Sequence, residues 1–166
     1  MKKQVQYRLA DLLKDSGASL SAAESCTGGY ISHLITMVSG SSAYYLGSVT
    51  SYAISIKERV LSVPAETIEE FGVVSGEVAA AMAEGVRRLS GSTYSVATTG
   101  LAEGGDSRYP EGTVWIGVSG PNGTRTRLFH CDSGRKGNIR RFARVALETL
   151  ERYIIESRQP AEKQRK

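Results

Sequence analysis

This chain has few of the residues that metal sites and disulfide frameworks are built from. It carries two cysteines, Cys26 and Cys131, and two histidines, His33 and His130, nearly a hundred residues apart. Two cysteines do not make a disulfide scaffold, and no group of His, Cys, Asp and Glu has ligand spacing, so no metal is expected. Such sparse cysteine use fits a reducing cytoplasm. No apolar run approaches the ~20 residues needed to span a membrane. The basic start Met1-Lys2-Lys3-Gln4-Val5-Gln6 is followed by no apolar stretch, so no signal peptide is expected. There is no internal repeat and no low-complexity linker.

What is present suits a globular protein. A chain of 166 residues with 40% hydrophobic content can bury a sizeable core. The expectation is one domain over residues 1–158 and a basic flexible tail over 159–166. Charge is unevenly placed. Residues 124–166 hold 12 Lys/Arg and 5 Asp/Glu, whereas residues 1–123 hold 9 and 12. Much of the basic third reads as a solvated helix face plus the tail; it could also face an anionic small molecule or nucleic acid, the latter ranked lowest. Aromatics that could stack on bases are few there: Phe129, Phe142 and Tyr153, the last two on the apolar face of a helix.

Periodicity orders the elements. Val5, Leu9, Leu12 and Leu13 predict an amphipathic helix over 3–15, stopped near Gly17. The small-residue run 19–23 predicts a buried strand, and a helix follows over 29–38. Residues 43–52 are rich in strand formers, with a bulge expected at Gly47. Short helices are expected over 55–61 and 66–71, with Pro64 in the first turn of the second. Ser75 is a good N-cap for a helix over 77–89, with Val78, Met82, Val86 and Leu89 as its stripe. Residues 93–99 predict a central strand, 100–112 a glycine-rich loop, and 113–119 with 124–131 a hairpin turned at Pro121-Asn122-Gly123. A last helix covers 137–155, with Ile139, Phe142, Ala146, Leu150 and Tyr153 on one face. Helices alternating with strands predict a layered α/β fold. The late hairpin makes the sheet mixed.

The chain is organised around Ser21-Ala22-Ala23-Glu24-Ser25-Cys26-Thr27-Gly28-Gly29. Read as strand, turn and helix start, it presents Ser25, Cys26 and Thr27 beside unpartnered amides that can hold an oxyanion or a phosphate. Three nucleophile systems are open. A Ser-His-Asp triad would need His33, which lies on the order of 12 Å up the helix from Ser25. Cys26 could act as a thiolate lowered by the helix start, but no imidazole is at hand. Lys57, just after the strand end at Tyr52, could lose its proton if desolvated and serve as a base. Donors for a phosphate are available from Gly28, Gly29, Thr99-Gly100, Arg135-Lys136 and Arg140-Arg141. Arg140 and Arg141 cannot both point inward. Ser25, Tyr52 and Thr99 all follow or end strands, where ligands gather in open α/β sheets.

Ala23 to Gly29 resembles the signature of the competence/damage-inducible CinA C-terminal domain family. Further matches occur in order at Gly40-Ser41-Ser42-Ala43-Tyr44-Tyr45, Ser51-Tyr52 with Lys57, Phe71-Gly72-Val73-Val74-Ser75, Thr99-Gly100-Leu101-Ala102, Pro110-Glu111-Gly112-Thr113-Val114-Trp115 and Arg140-Arg141. The resemblance covers roughly residues 5–155. It implies a three-layer α/β sandwich, usually oligomeric, acting as a nicotinamide-nucleotide amidase. Such enzymes convert nicotinamide mononucleotide to nicotinic acid mononucleotide and ammonia without metal or cofactor. It also implies the roles: Ser25 as nucleophile, Lys57 as base, and Tyr52 and Thr99 in the pocket. Cys26, Thr27, Gly28, Gly29 and Gly100 line the substrate, and an arginine before the last helix corresponds to Arg135 or Lys136, with Arg140 also a candidate. The expected form is the stand-alone domain. Two departures stand out. Ile54 replaces the usual Asn three residues before the lysine, and Gly100-Leu101-Ala102-Glu103-Gly104-Gly105 is shorter than the usual loop and lacks its Gly-Pro. A non-catalytic pyridine-nucleotide sensor with the same pocket is the alternative expectation.

Overall fold

A computed structural model describes residues 3–159; the tail expected over 159–166 lies, apart from Gln159, outside these residues. Five strands form one sheet: β1 (Leu20–Glu24), β2 (Tyr45–Thr50), β3 (Tyr94–Leu101), β4 (Thr113–Gly120) and β5 (Gly123–His130), in the order β2-β1-β3-β4-β5. β1 runs parallel to both β2 and β3, while β3–β4 and β4–β5 are antiparallel. The sheet is mixed because parallel neighbours need crossover helices, whereas the two-residue turn at Pro121-Asn122 can only reverse the chain. β1 is buried along its whole length, as its small-residue sequence requires of a strand covered on both faces. The bulge on β2 is present: pairing with β1 slips from Tyr45 to Gly47, whose φ of 142° suits glycine.

Among the described residues six α-helices make the outer layers: α1 (Val5–Leu13), α2 (Tyr30–Thr36), α3 (Ile54–Leu61), α4 (Ala65–Phe71), α5 (Gly76–Ser90) and α6 (Gly134–Ser157). α1, α2 and α6 cover one face around Leu9, Leu13, Leu20, Ile31, Ile35, Val96, Phe142 and Leu150. α5 covers the other through Val78, Met82 and Val86 against Ala23 and Ala97. Burying each such side chain contributes about 1.5–3 kcal/mol. The result is the three-layer sandwich. Among the described residues no helix is long and apolar enough to cross a membrane.

Two local choices position the site. Ser75 caps α5 by accepting from Val78 N–H at 3.2 Å. Gly85 brings α3 onto α5, because a Cβ there would stand 2.1 Å from the Leu61 carbonyl oxygen.

Boundaries differ from the sequence pattern in three informative places. α6 starts at Gly134, three residues early, so Arg135 and Lys136 sit inside its first turn rather than before it. β3 continues through Leu101 because β4 pairs with it up to Thr113. Leu89 has the angular position of the α5 stripe yet is 57% exposed. Arg87 Nε already donates to the Thr93 carbonyl, just ahead of β3, so the last turn of α5 has no strand beneath it.

Candidate active site

β1, β2 and β3 all end on the same edge of the sheet. Ser25 N–H donates to the Thr98 carbonyl (3.1 Å) and Ser51 N–H to the Glu24 carbonyl (2.8 Å), which carries the ladder one row past β1. Ser25 therefore lies between Ser51 and Thr99. Side chains alternate along a strand, so Ser25 faces the α3–α5 layer and Glu24 the α2 layer.

Lys57 comes to Ser25 from the fourth position of α3. Its Nζ lies 2.9 Å from Ser25 Oγ, 2.6 Å from the Ser51 carbonyl oxygen and 3.2 Å from that of Tyr52. The residue is 1% exposed, and among the described residues it joins no ion pair. Burial pulls its pKa down from 10.5 to about 8, opposed weakly by Cys26. Desolvation disfavours an ammonium that no carboxylate compensates. A neutral amine has two N–H groups and one lone pair. With both N–H groups on the two carbonyls, the lone pair is left facing the Ser25 hydroxyl.

Glu24 organises the turn on the opposite face. The residue is fully buried, and its carboxylate accepts from the Thr27 hydroxyl (2.6 Å) and from the amides of Gly29 (3.0 Å), Ile31 (3.0 Å) and Ser32 (2.8 Å). Four donors and the positive end of α2 compensate its desolvation. Thr27 also meets Thr98 Oγ1 at 2.8 Å; with its proton on Glu24, it accepts from Thr98. Gly28 and Gly29, at φ 59° and 99°, supply the left-handed residues that bend the chain into this arrangement. Gly28 N–H is taken by the Ser25 carbonyl. Among the described residues the amides of Cys26 and Thr27, directly after the serine, make no backbone hydrogen bond. Burial pushes the Cys26 thiol up to about 12, so it is a packed thiol and not a thiolate.

The rim is closed by the β3–β4 loop and the start of α6. β5 runs in the same direction as β3, so α6 begins on the same edge as Ser25. Arg135 Nη1 lies 3.6 Å from Glu103 Oε2, and its guanidinium meets the Tyr52 side chain, the main influence raising its pKa. Tyr52, 63% exposed, thus links Lys57 through its carbonyl to Arg135 through its phenol. Asn138 is fully buried and fixes both rim segments: Nδ2 donates to the Ala102 carbonyl (2.9 Å) and Oδ1 accepts from Ser133 N–H (2.9 Å).

Residues 2–154 match the profile of the CinA C-terminal domain. The chain belongs to the CinA C-terminal domain family. A CinA-like protein of Desulfosudis oleivorans is 46% identical over 154 residues, covering 91% of this chain and 37% of that protein. One of Salinibacter ruber is 47% identical over 148 residues, covering 88% and 36%. The chain thus spans a little over a third of the length of the curated relatives it matches. Among solved structures it resembles the competence damage-inducible protein A of Klebsiella pneumoniae, with TM-score 0.88, 29% identity and coverage of 93% and 97%. It also resembles the competence/damage inducible protein CihA of Agrobacterium tumefaciens, with TM-score 0.84, 32% identity and coverage of 90% and 97%.

Within this CinA domain the expected site residues separate into groups. Ser25, Lys57 and the Tyr52 carbonyl are brought together, and Arg135 meets the Tyr52 side chain. Thr99 lies beside Ser25, but its hydroxyl donates to the Val73 carbonyl at 2.7 Å and can only accept from a ligand. The Thr27 hydroxyl and the amides of Gly29, Ile31 and Ser32 are committed to Glu24, so the start of α2 offers no free amides to a phosphate. Gly100 is explained by packing, since a Cβ there would stand 2.4 Å from the Thr113 carbonyl oxygen. Lys136 is exposed in the first turn of α6. Arg140 is not at the site; it lines a groove with Lys3, Arg8, Tyr30 and Arg144. His33 and His130 are not at the pair: the ring of His33 lies tilted against that of Tyr30, with centroids 5.7 Å apart, and His130 Nε2 lies 2.9 Å from the Glu111 carbonyl oxygen. Sequence reasoning missed Glu24, Thr98 and Asn138. Glu24 carried a signal, because strand alternation turns it away from Ser25 and toward a helix start. Asn138 carried none.

Proposed function

We propose that this CinA domain is a nicotinamide-nucleotide amidohydrolase, converting nicotinamide mononucleotide and water to nicotinic acid mononucleotide and ammonia. The observation that carries this reading is the 2.9 Å approach of Lys57 Nζ to Ser25 Oγ, with both neighbouring carbonyls on the amine. Neutral Lys57 takes the hydroxyl proton as Ser25 Oγ attacks the carboxamide carbon. The oxyanion develops beside the amides of Cys26 and Thr27, and such a donor is worth roughly 3 kcal/mol in the transition state. The lysine ammonium protonates the departing ammonia. Water, deprotonated by the same lysine, then cleaves the acyl-enzyme and restores Ser25.

The phosphate of the nucleotide belongs at α6 in this reading. Of the helix starts on this edge, that of α2 is neutralised by Glu24 and that of α5 is capped by Ser75. That of α6 has no side-chain cap and carries Arg135 and Lys136 in its first turn, a poor place for cations unless an anion joins them. Ammonia release from nicotinamide mononucleotide by the wild type, beside Ser25→Ala and Lys57→Ala, tests the assignment. Turnover that survives both substitutions sinks it. A second reading, a nucleotide sensor without turnover, is favoured by one observation: Glu103 stands beside the proposed phosphate ligand. Saturable binding by folded protein without ammonia release is its signature.

A further inference from the structure

Three segments meet around Arg135, those of Tyr52, Glu103 and the start of α6, and one of them brings the wrong charge for a nucleotide. Arg135 faces Tyr52 on one side and the carboxylate of Glu103 on the other. The meeting is not an accident of two loose loops. Asn138 holds Ala102, the residue before Glu103, and Ser133, two residues before Arg135, with one amide group. The Cys131 N–H donates to the Gly112 carbonyl and the Gly112 N–H to the Leu101 carbonyl, which tie the same segments again. Glu103 is thereby kept within reach of the cation that faces the site.

We propose that Glu103 is a specificity-determining residue that occupies Arg135 in the free protein and competes with the phosphate of the ligand for it. The inference deepens the amidase reading and rests on it in one respect, that the site takes a phosphorylated ligand. A phosphate entering at the start of α6 meets Arg135 already half-neutralised and a carboxylate that repels it. Both effects are modest, because the side chains of Arg135 and Glu103 are 48% and 65% exposed and solvent screens the pair. Removing the carboxylate frees the guanidinium and ends the repulsion of a doubly charged phosphate. Together these tighten phosphate binding about five- to tenfold at low salt. Glu103 thus keeps affinity for inorganic phosphate low, and a productive ligand needs further contacts at the Ser25 end to displace it.

The test is calorimetric titration of inorganic phosphate, nicotinamide mononucleotide and nicotinamide riboside into Ser25→Ala protein with Glu103 or with Glu103→Gln. Glu103 is on the surface, so the isosteric change leaves the fold intact, which circular dichroism checks. The expected result is tighter binding of phosphate and of the mononucleotide by the Gln variant, less so at high salt, with no gain for the riboside. Equal affinities, a gain shared by the riboside, or no phosphate binding to either protein would each overturn the proposal. Ammonia release is assayed separately in the Ser25 background. Its absence rejects the amidase reading while leaving the binding result to decide on Glu103.

Discussion

Glu24 and Ser25, neighbours in the chain, face opposite sides of the sheet. Glu24 turns to the α2 layer and accepts four hydrogen bonds there, while Ser25 turns to the α3 layer and meets Lys57. One peptide thus joins the anchor of the turn to the Ser25 hydroxyl, and what happens to the first is transmitted to the second.

Glu24→Gln is the sharpest probe of that link. The amide nitrogen must face donors that the carboxylate oxygen accepted from, leaving at least one of them buried without a partner. The expected cost is roughly 2–4 kcal/mol of stability, read as a lower urea midpoint at unchanged slope. Turnover of the remaining folded protein falls as well, because Ser25 and the Cys26 and Thr27 amides lose their fixed placement. Unchanged stability and turnover would show that the turn holds itself.

Lys57 sets a pH dependence. In the proposed mechanism Lys57 acts as a base when neutral, and burial pulls its pKa down to about 8. Activity per enzyme is therefore expected to rise about tenfold per pH unit below 8 and to level off above it. Lys57→Ala is expected to lower turnover by at least a thousandfold, and Lys57→Arg equally, since a guanidinium stays charged. A flat profile between pH 6 and 9 would remove lysine as the base.

The same lysine costs stability, with a definite sign. Its folded-state pKa of about 8 lies below the 10.5 of the unfolded chain, so between these values the unfolded state binds more protons. Stability from this group rises with pH across that window, and below pH 8 the full penalty of burying the ammonium is present. A fall from 10.5 to about 8 corresponds to about 3 kcal/mol. Lys57→Met is expected to raise the melting temperature at pH 7 and to flatten its dependence between pH 8 and 10 while abolishing turnover. A variant less stable than wild type at pH 7 would contradict this.

The two arginines once equivalent in sequence are expected to separate in kinetics. Arg135→Ala should raise KM for nicotinamide mononucleotide about tenfold or more, the scale of a lost charge-assisted hydrogen bond, with a smaller effect on kcat. Arg140→Ala should leave both within twofold, because Arg140 lies in a different groove. Steady-state kinetics on both variants decides, and a large effect at Arg140 alone would move the phosphate off the start of α6.

Much of this architecture was legible in the chain. The stripe Val78, Met82 and Val86, the cap at Ser75, the hairpin at Pro121-Asn122 and the bulge at Gly47 are local patterns, and local patterns fix elements. The turn after β1 was legible as a site for the same reason, since two adjacent glycines before a helix leave few other conformations. The sorting of its residues was not. The Thr27 hydroxyl and the Gly29 amide read as ligand donors until a buried carboxylate claimed them, and Cys26 read as a candidate nucleophile until burial raised its pKa. Arg135, Lys136 and Arg140 are close in sequence, and only the early start of α6 places Arg135 against Tyr52 and Glu103 and sends Arg140 to another face.

By itself, then, the sequence determined the elements, their layering and the turn that carries Ser25, because periodicity, caps and glycine positions act over a few residues. The tertiary structure decided the chemistry. Lys57 lies 32 residues after Ser25 and meets its hydroxyl only when Gly85 lets α3 settle on α5 and two carbonyls close around Nζ. Charge, burial and proton affinity depend on what surrounds a group in space, and spacing along the chain does not record that.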